Sequence, residues 1–222
     1  MEIKDIRRPP KELVEGLRTV GTSTLGDILD GMGLEGAVSG LRPLKDGTVL
    51  VGPAVTVKEV SGVLGTYGIE DFSIGRVIDY GKPGDVLVFD NAGKAISTWG
   101  GLASTAAQIR GIEGVVIDGA CRDVNEIGEL GFPVFTRHIT PTTGKTRIKI
   151  LDLNGTIQCG GIRVRPGDII VADATGIVVV PQEKARDILK KAQEAEKAEE
   201  YFVDQLKKGK TFLEAQKSTG RL

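Results

Sequence analysis

A single-domain α/β fold is what this sequence predicts, and three observations predict it. Gly114-Val115-Val116-Ile117 is a β-branched run bounded by glycine, the pattern of a strand buried on both faces. It follows a helix-like segment at 105–110 and, before that, a strand-like run at 85–90, so the order is strand, helix, strand, as in a right-handed crossover. From 149 to 180 the pattern changes to short apolar runs at turn-marked spacing, a β-rich layer. With 222 residues and 40% hydrophobic composition the chain can bury one substantial core, and its 31 glycines imply many turns.

Each element follows in order. Residues 11–20 read as a short amphipathic helix after Pro9-Pro10. Thr22-Ser23-Thr24 cap a second helix, 25–30, which ends at Gly31. Val49, Val51, Val55, Val57 and Val60, interrupted by Gly52-Pro53, predict a bent or bulged strand pair leading into Ser61-Gly62. Ile69, Phe72, Val77 and Tyr80 have helical spacing, and Lys82-Pro83-Gly84 is a turn feeding the strand 85–90. Asn91-Ala92-Gly93 is a loop. Trp99-Gly100-Gly101 opens the helix that precedes the central strand, Gly119-Ala120 supply a tight exit from that strand, and 132–135 form a further short strand. Arg165-Pro166-Gly167-Asp168 echoes Lys82-Pro83-Gly84-Asp85 and implies the same turn geometry. Pro181 closes the last strand, and 182–208 is a long helix broken at Gly209. Its sparse apolar positions suit either a solvated helix or one packed on a neighbouring subunit.

Charge and cysteine usage exclude several classes. Twenty-nine basic and 30 acidic residues give a formal charge of -1, so no global field favours nucleic acid or an anionic membrane. Cys121 and Cys159 lack CxxC or Cys/His spacing, and no secretory signal or apolar run of about 18 residues is present. The expectation is a reduced, cytoplasmic protein.

Chemistry concentrates after the central strand. Arg122, Asp123 and Glu126 follow Gly119-Ala120-Cys121, and Asp123 and Glu126 fall three apart, on one side of a helical first turn. Upstream, Gly100 to Ser104 open a helix whose backbone N–H groups and positive dipole end can seat a carboxylate or phosphate. Arg122 reads as an oxyanion holder or as the ion-pair partner of Asp123 or Asp118. Asp118 reads as a strand-end residue bonding backbone amides, Cys121 as a small buried residue, and His138 as a loop histidine or a substrate contact.

The spacing Gly101-x20-Arg122-Asp123-x2-Glu126, preceded by Trp99-Gly100 and followed by Pro166-Gly167-Asp168 and Asp173-x2-Gly176, resembles a known family. That family contains 4-hydroxy-4-methyl-2-oxoglutarate and 4-carboxy-4-hydroxy-2-oxoadipate aldolases and the regulator of ribonuclease E activity A. The similarity runs from about residue 20 to 209. It implies a swivelling β/β/α domain like that of phosphohistidine proteins, spanning 1–222 with a core at about 20–181 and the 182–208 helix against a neighbouring subunit. It also implies trimers, often paired into hexamers, with active sites between subunits. In such enzymes Arg122 would hold the keto or enolate oxygen of a pyruvate unit, and Asp123 would bind Mg²⁺ or Mn²⁺ largely through waters. Amides of Gly100, Gly101, Leu102, Ala103 and Ser104 would hold the substrate. A glutamate of the neighbouring subunit's C-terminal helix, assigned to Glu199 with Glu196 and Glu200 close by, would join the metal.

The sequence departs from the family at Gly101, where many members carry an acid. Glu126 is placed to replace that acid as metal-water or general-base partner. Retro-aldol cleavage of a 4-hydroxy-2-oxo acid and decarboxylation of oxaloacetate both form pyruvate enolate, so one site can do both. Lys58, Lys82, Lys94 and Lys145 have no evident apolar pocket to favour a Schiff base, whereas Asp123 with Glu126 supplies hard oxygen donors. One histidine and no thiolate cluster suit Mg²⁺ or Mn²⁺ rather than structural zinc. The expectation is a metal-dependent lyase acting on a small oxo-acid. Two rivals are a regulator of ribonuclease activity acting by protein binding and a sugar-acid or phosphate-ligand enzyme reading its ligand with Arg137, Lys145 and Arg147.

Overall fold

The computed structural model describes residues 2–219. The chain opens with β1 (Glu2–Ile3), α1 (Lys11–Arg18) and α2 (Thr22–Gly31). Helix α1 starts after Pro10 and buries Val14 and Leu17, while α2 buries Leu25 and Leu29. The threonines do not cap α2 from their own side chains. The helix already begins at Thr22, and its first amide is taken by Asp173 from across the fold at 2.9 Å, with the Thr22 hydroxyl donating to the same carboxylate at 2.7 Å.

Short strands β2 (Ala37–Val38) and β3 (Arg42–Pro43) lead to β4 (Leu50–Ser61), a single strand of 12 residues where a pair was expected. Pro53 is accommodated because β4 changes partners there: residues 50–53 pair with a strand on one edge, and the parallel ladder on the other edge begins only at Ala54. Gly52 is required by packing, since a Cβ there would collide with the carbonyl oxygen of Gly84. A 3₁₀ turn at Ile69–Asp71 and α3 (Ile74–Tyr80) divide what read as one helix.

Next come β5 (Val86–Asp90), β6 (Ser97–Trp99), α4 (Gly101–Ile109), β7 (Gly114–Cys121), α5 (Val124–Leu130) and β8 (Val134–Ile139). Gly119-Ala120 is not an exit. Strand β7 runs on to Cys121, with its register against β8 shifting between Ile117 and Ala120, and Gly119 gives the strand room against Asn91. Strand β8 likewise starts at Val134 and extends to Ile139. The β-rich region then supplies β9 (Ile148–Leu153), β10 (Ile157–Cys159), β11 (Ile162–Val164), β12 (Ile169–Ala172) and β13 (Ile177–Val180), before α6 (Ala185–Lys207) and α7 (Phe212–Thr219).

One large sheet has the order β2-β13-β12-β4-β5-β7-β8-β3, with β9 and β1 continuing past β12 along β4, and β6 beside the end of β7. Its centre, β4-β5-β7-β8, is parallel. On one face Val57, Phe89 and Ile117 pack with Val77 of α3, Ala107 of α4 and Ile127 of α5. On the other, Val86, Val88 and Val116 pack under the β10–β11 hairpin and the inward residues of β12 and β13. The result is an α layer, a parallel sheet and a β layer, the expected β/β/α arrangement, with α1, α2 and α6 covering the outside of β12 and β13.

Helix α6 uses Ala185, Ile188 and Ala192 to pack on its own chain, while its second half exposes Tyr201 and Val203. No described helix is long and apolar enough to cross a membrane.

Candidate active site

The site lies at the carboxyl end of the parallel strands, where β7 releases Arg122 and Asp123 beside the start of α4. This is the end at which open parallel sheets present ligand groups. The Arg122 N–H donates to the Trp99 carbonyl at 3.0 Å, so the strand end is tied to β6 and to the glycine turn that follows it. Gly100 precedes α4 in an extended conformation, and Gly101 is its first residue.

Asp123 stands at the N-cap of α5 in a left-handed conformation (φ 58°, ψ 39°), with Glu126 three residues on. That pairing is able to cap a helix reciprocally, yet the Asp123 side chain makes no capping bond. Its Oδ2 instead accepts from the Gly101 N–H at 3.1 Å and lies 3.4 Å from Arg122 Nε. Glu126 leans the same way: its carboxylate occupies the space a Cβ at position 101 would need, and Asp123 Oδ2 does the same at position 100. The two glycines therefore form a cradle filled by two carboxylates from a neighbouring helix start. The Arg122 side chain is 43% exposed.

The expected substrate amides divide in two. Gly101 donates to Asp123, and Ser104 donates to the Gly100 carbonyl at 3.0 Å. Leu102 and Ala103 occupy first-turn positions whose N–H groups have no intrahelical acceptor. Ser104 is fully buried; its hydroxyl accepts from the Trp99 indole at 2.8 Å and donates to the Gly100 carbonyl at 3.2 Å. It holds the loop from inside. Trp99 in turn stacks on Phe132.

Asp118, Arg137, Cys121 and His138 have structural surroundings. Asp118 accepts from the Gly160 N–H at 2.7 Å and from Arg137 at 2.6 Å, which removes it as a partner for Arg122. Arg137 also donates to the Ser39 carbonyl, and Arg147 to that of Thr143; Lys145 is exposed. His138 is exposed beside the Gly93 carbonyl at 3.1 Å. Cys121 is buried, and burial pushes its thiol up to about 11.

Glu199 lies elsewhere, in a groove of α6 with Thr19, Glu196, Glu200, Val203, Asp204 and Lys207. Among the described residues no three His, Cys, Asp or Glu side chains gather to hold a metal.

One residue escaped the sequence reading. Glu59 of β4 is 2% exposed, and its Oε2 accepts from Thr98 of β6 at 2.6 Å. Burial raises its pKa to about 8, with the nearby Asp90 charge adding to the rise and the Thr98 bond opposing it. The signal was present in the sequence: Glu59 shares the inward parity of Val55 and Val57.

Comparison with known proteins shows which family the chain belongs to. A protein of Halalkalibacterium halodurans, provisionally named a 4-hydroxy-4-methyl-2-oxoglutarate aldolase, is 35% identical over 192 residues, covering 85% of this chain and 86% of its own. An uncharacterized protein from Pseudomonas syringae pv. tomato superposes with a TM-score of 0.87 at 27% identity over 98% of both chains. RraAS2 of Streptomyces coelicolor, described as an unusual member of the RNase ES inhibitor RraA family, superposes with a TM-score of 0.80 at 31% identity over 89% of this chain and 98% of its own. Residues 22–179 match the family described as RraA-like, Aldolase/RraA, and to that family this chain belongs.

Proposed function

We propose that this chain is a divalent-metal-dependent carbon–carbon lyase that cleaves 4-hydroxy-4-methyl-2-oxoglutarate-like 4-hydroxy-2-oxo acids to pyruvate and decarboxylates oxaloacetate at the same site. The observation that carries this reading is the convergence of Arg122, Asp123 and Glu126 on the Gly100-Gly101 cradle. Two carboxylates at one spot, with no thiolate or imidazole beside them, suit a hydrated Mg²⁺ or Mn²⁺. Asp123 would hold that ion, with Glu126 beside it as the general-base partner and Glu199 of a second copy completing the ligand set in a trimer or hexamer. When bound, the ion supplies Lewis-acid stabilisation of developing negative charge.

The chain's own residues do the rest. First-turn amides of Leu102 and Ala103 bind the C1 carboxylate. Glu126 accepts the C4 hydroxyl proton, the C3–C4 bond breaks, and its electron pair becomes the C2–C3 enolate while the C4 fragment leaves as pyruvate. Arg122 faces the enolate oxygen at C2, where charge develops, and protonation at C3 completes the second pyruvate. In oxaloacetate, loss of CO₂ leaves the same enolate.

The test is pyruvate release from both substrates with Mg²⁺, Mn²⁺ or EDTA. Metal-dependent turnover is expected, with Arg122→Ala slower by about 10²–10³-fold and Asp123→Ala inactive. Glu126→Gln should lose at least about tenfold, and in Glu126→Ala, which empties the space beside position 101, Gly101→Asp should restore part of the loss. Full activity in Glu126→Gln would remove Glu126 from the mechanism. The likeness to RraAS2 favours a second reading, a regulator that binds an RNA-processing enzyme. A folded protein without turnover that inhibits such an enzyme would select it.

A further inference from the structure

The three residues of β6 join the sheet at the end of β7, where they lead into the candidate site, and each is held by a different element. The Ser97 N–H donates to the Thr142 carbonyl at 2.9 Å, the Thr98 hydroxyl bonds Glu59 at 2.6 Å, and the Trp99 indole bonds Ser104 at 2.8 Å. The Trp99 carbonyl accepts both the Ser97 hydroxyl and the Arg122 N–H. A shift of β6 therefore displaces Gly100, Gly101 and Arg122 together. Among the described residues, Glu59 is the only ionisable side chain in those bonds. Its second oxygen, Oε1, has no hydrogen-bond partner among the described residues, an arrangement tolerable for a neutral acid and costly for a buried carboxylate.

We propose that Glu59 is a positioning residue for this site: its carboxylic acid holds Thr98, and through Thr98 it sets the segment that carries the glycine cradle and fixes the Arg122 backbone. The assignment rests on the lyase reading only for its effect on turnover. Its effect on β6 is independent of the substrate.

The charged groups of the surrounding elements offer Glu59 no cation. Lys58 of β4 is paired with Asp90 of β5 at 2.7 Å, and Lys149 of β9 with Asp71 at 3.1 Å. Asp118 of β7 is held by Arg137, and Arg122 lies 3.4 Å from Asp123. Asp152 of β9 lies opposite Lys58, and Arg147, just before β9, donates to the Thr143 carbonyl at 3.1 Å. Burial and the Asp90 charge hold Glu59 neutral at pH 7. Above about 8 the ionised Oε1 has no partner among the described residues and Asp90 repels it, so the charge strains the contact between β4 and β6 even though a carboxylate accepts more strongly from Thr98. The active form is the protonated one, so the effect is a loss as pH rises.

Trp99, the one tryptophan in the sequence, sits next to Thr98 and reports on β6 without any substrate. Tryptophan emission of the native protein, titrated from pH 6 to 9.5 with far-UV circular dichroism as a check on folding, is expected to change with a midpoint near 8. Glu59→Gln keeps a neutral hydrogen-bonding group and should show no such transition. In pyruvate release, the wild type should fall about tenfold between pH 7 and pH 9, while Glu59→Gln stays within about threefold of the wild-type pH 7 rate across that range. Flat emission in the wild type, or the same transition in Glu59→Gln, would overturn the proposal even if turnover is found. An emission transition abolished in Glu59→Gln, with no turnover in either protein, would uphold the positioning role and remove the lyase reading instead.

Discussion

Asp123 occupies a helix start in a left-handed conformation and turns its carboxylate toward another helix. A side chain serving stability alone would cap α5, so the geometry has been given over to the cradle. Glu126 completes the exchange: an acid missing from position 101 is replaced by one reaching the same space from α5. The cysteines lack such settings. Burial pushes Cys121 up to about 11 and raises Cys159 still further, with nearby carboxylates adding to both. Neither thiol should react with a disulfide reagent at pH 8 in the folded protein, and both should react in denaturant; a fast-reacting thiol in the native protein would contradict this environment.

The two basic-Pro-Gly-Asp turns are the same device used twice. In each, the aspartate N–H donates to the carbonyl of the basic residue, its carboxylate accepts that residue's N–H at 2.8 Å, and the glycine has φ near 85°. One feeds β5 and the other β12, two of the three strands paired with β4, and both turns press on its first half: Gly84 against Gly52, Gly167 bonded to Ala54. They differ in charge balance. Asp85, wholly buried, is gripped by Arg8 through two bonds of 2.7 Å, whereas Asp168 takes its second bond from the Gln182 N–H. Asp85→Ala should cost about 3 kcal/mol, because it strands a largely buried guanidinium. Asp173→Ala, which removes a cap from α2, should cost about 1 kcal/mol. Urea unfolding of both variants measures the difference, and equal losses would show that the Arg8 pair is not the stronger of the two.

In the whole molecule, Asp123 and Glu199 belong to separate surfaces of one chain. The first half of α6 is anchored on α1 and α2, and its second half carries exposed Tyr201, Val203 and Leu206 beside the acidic groove. If the proposed site is completed by a second copy, Asp123→Ala, inactive alone, and Glu199→Gln, weak alone, should regain activity when unfolded together and refolded as a mixture. Mixed assemblies would contain sites built from the two intact halves. No gain over the separate proteins would place Glu199 outside the site.

The alternating strand and helix patterns, the glycine-opened α4, the twin turns and the Arg122-Asp123-Glu126 cluster were legible because each depends on residues adjacent in the chain. Local periodicity is the direct consequence of backbone geometry. What depended on distant partners was not legible. Gly52-Pro53 read as a break until the change of strand partner at residue 53 explained it, and Gly119-Ala120 read as an exit although β7 pairs through it. Thr22 could not announce that its helix would be capped from Asp173, nor Glu59 that it would meet Thr98. A buried polar group takes its chemistry from whatever tertiary packing places against it, so the sequence determined the layers and the cluster of charge, and only the fold decided which carboxylates stay neutral, which cap, and which are left facing a substrate.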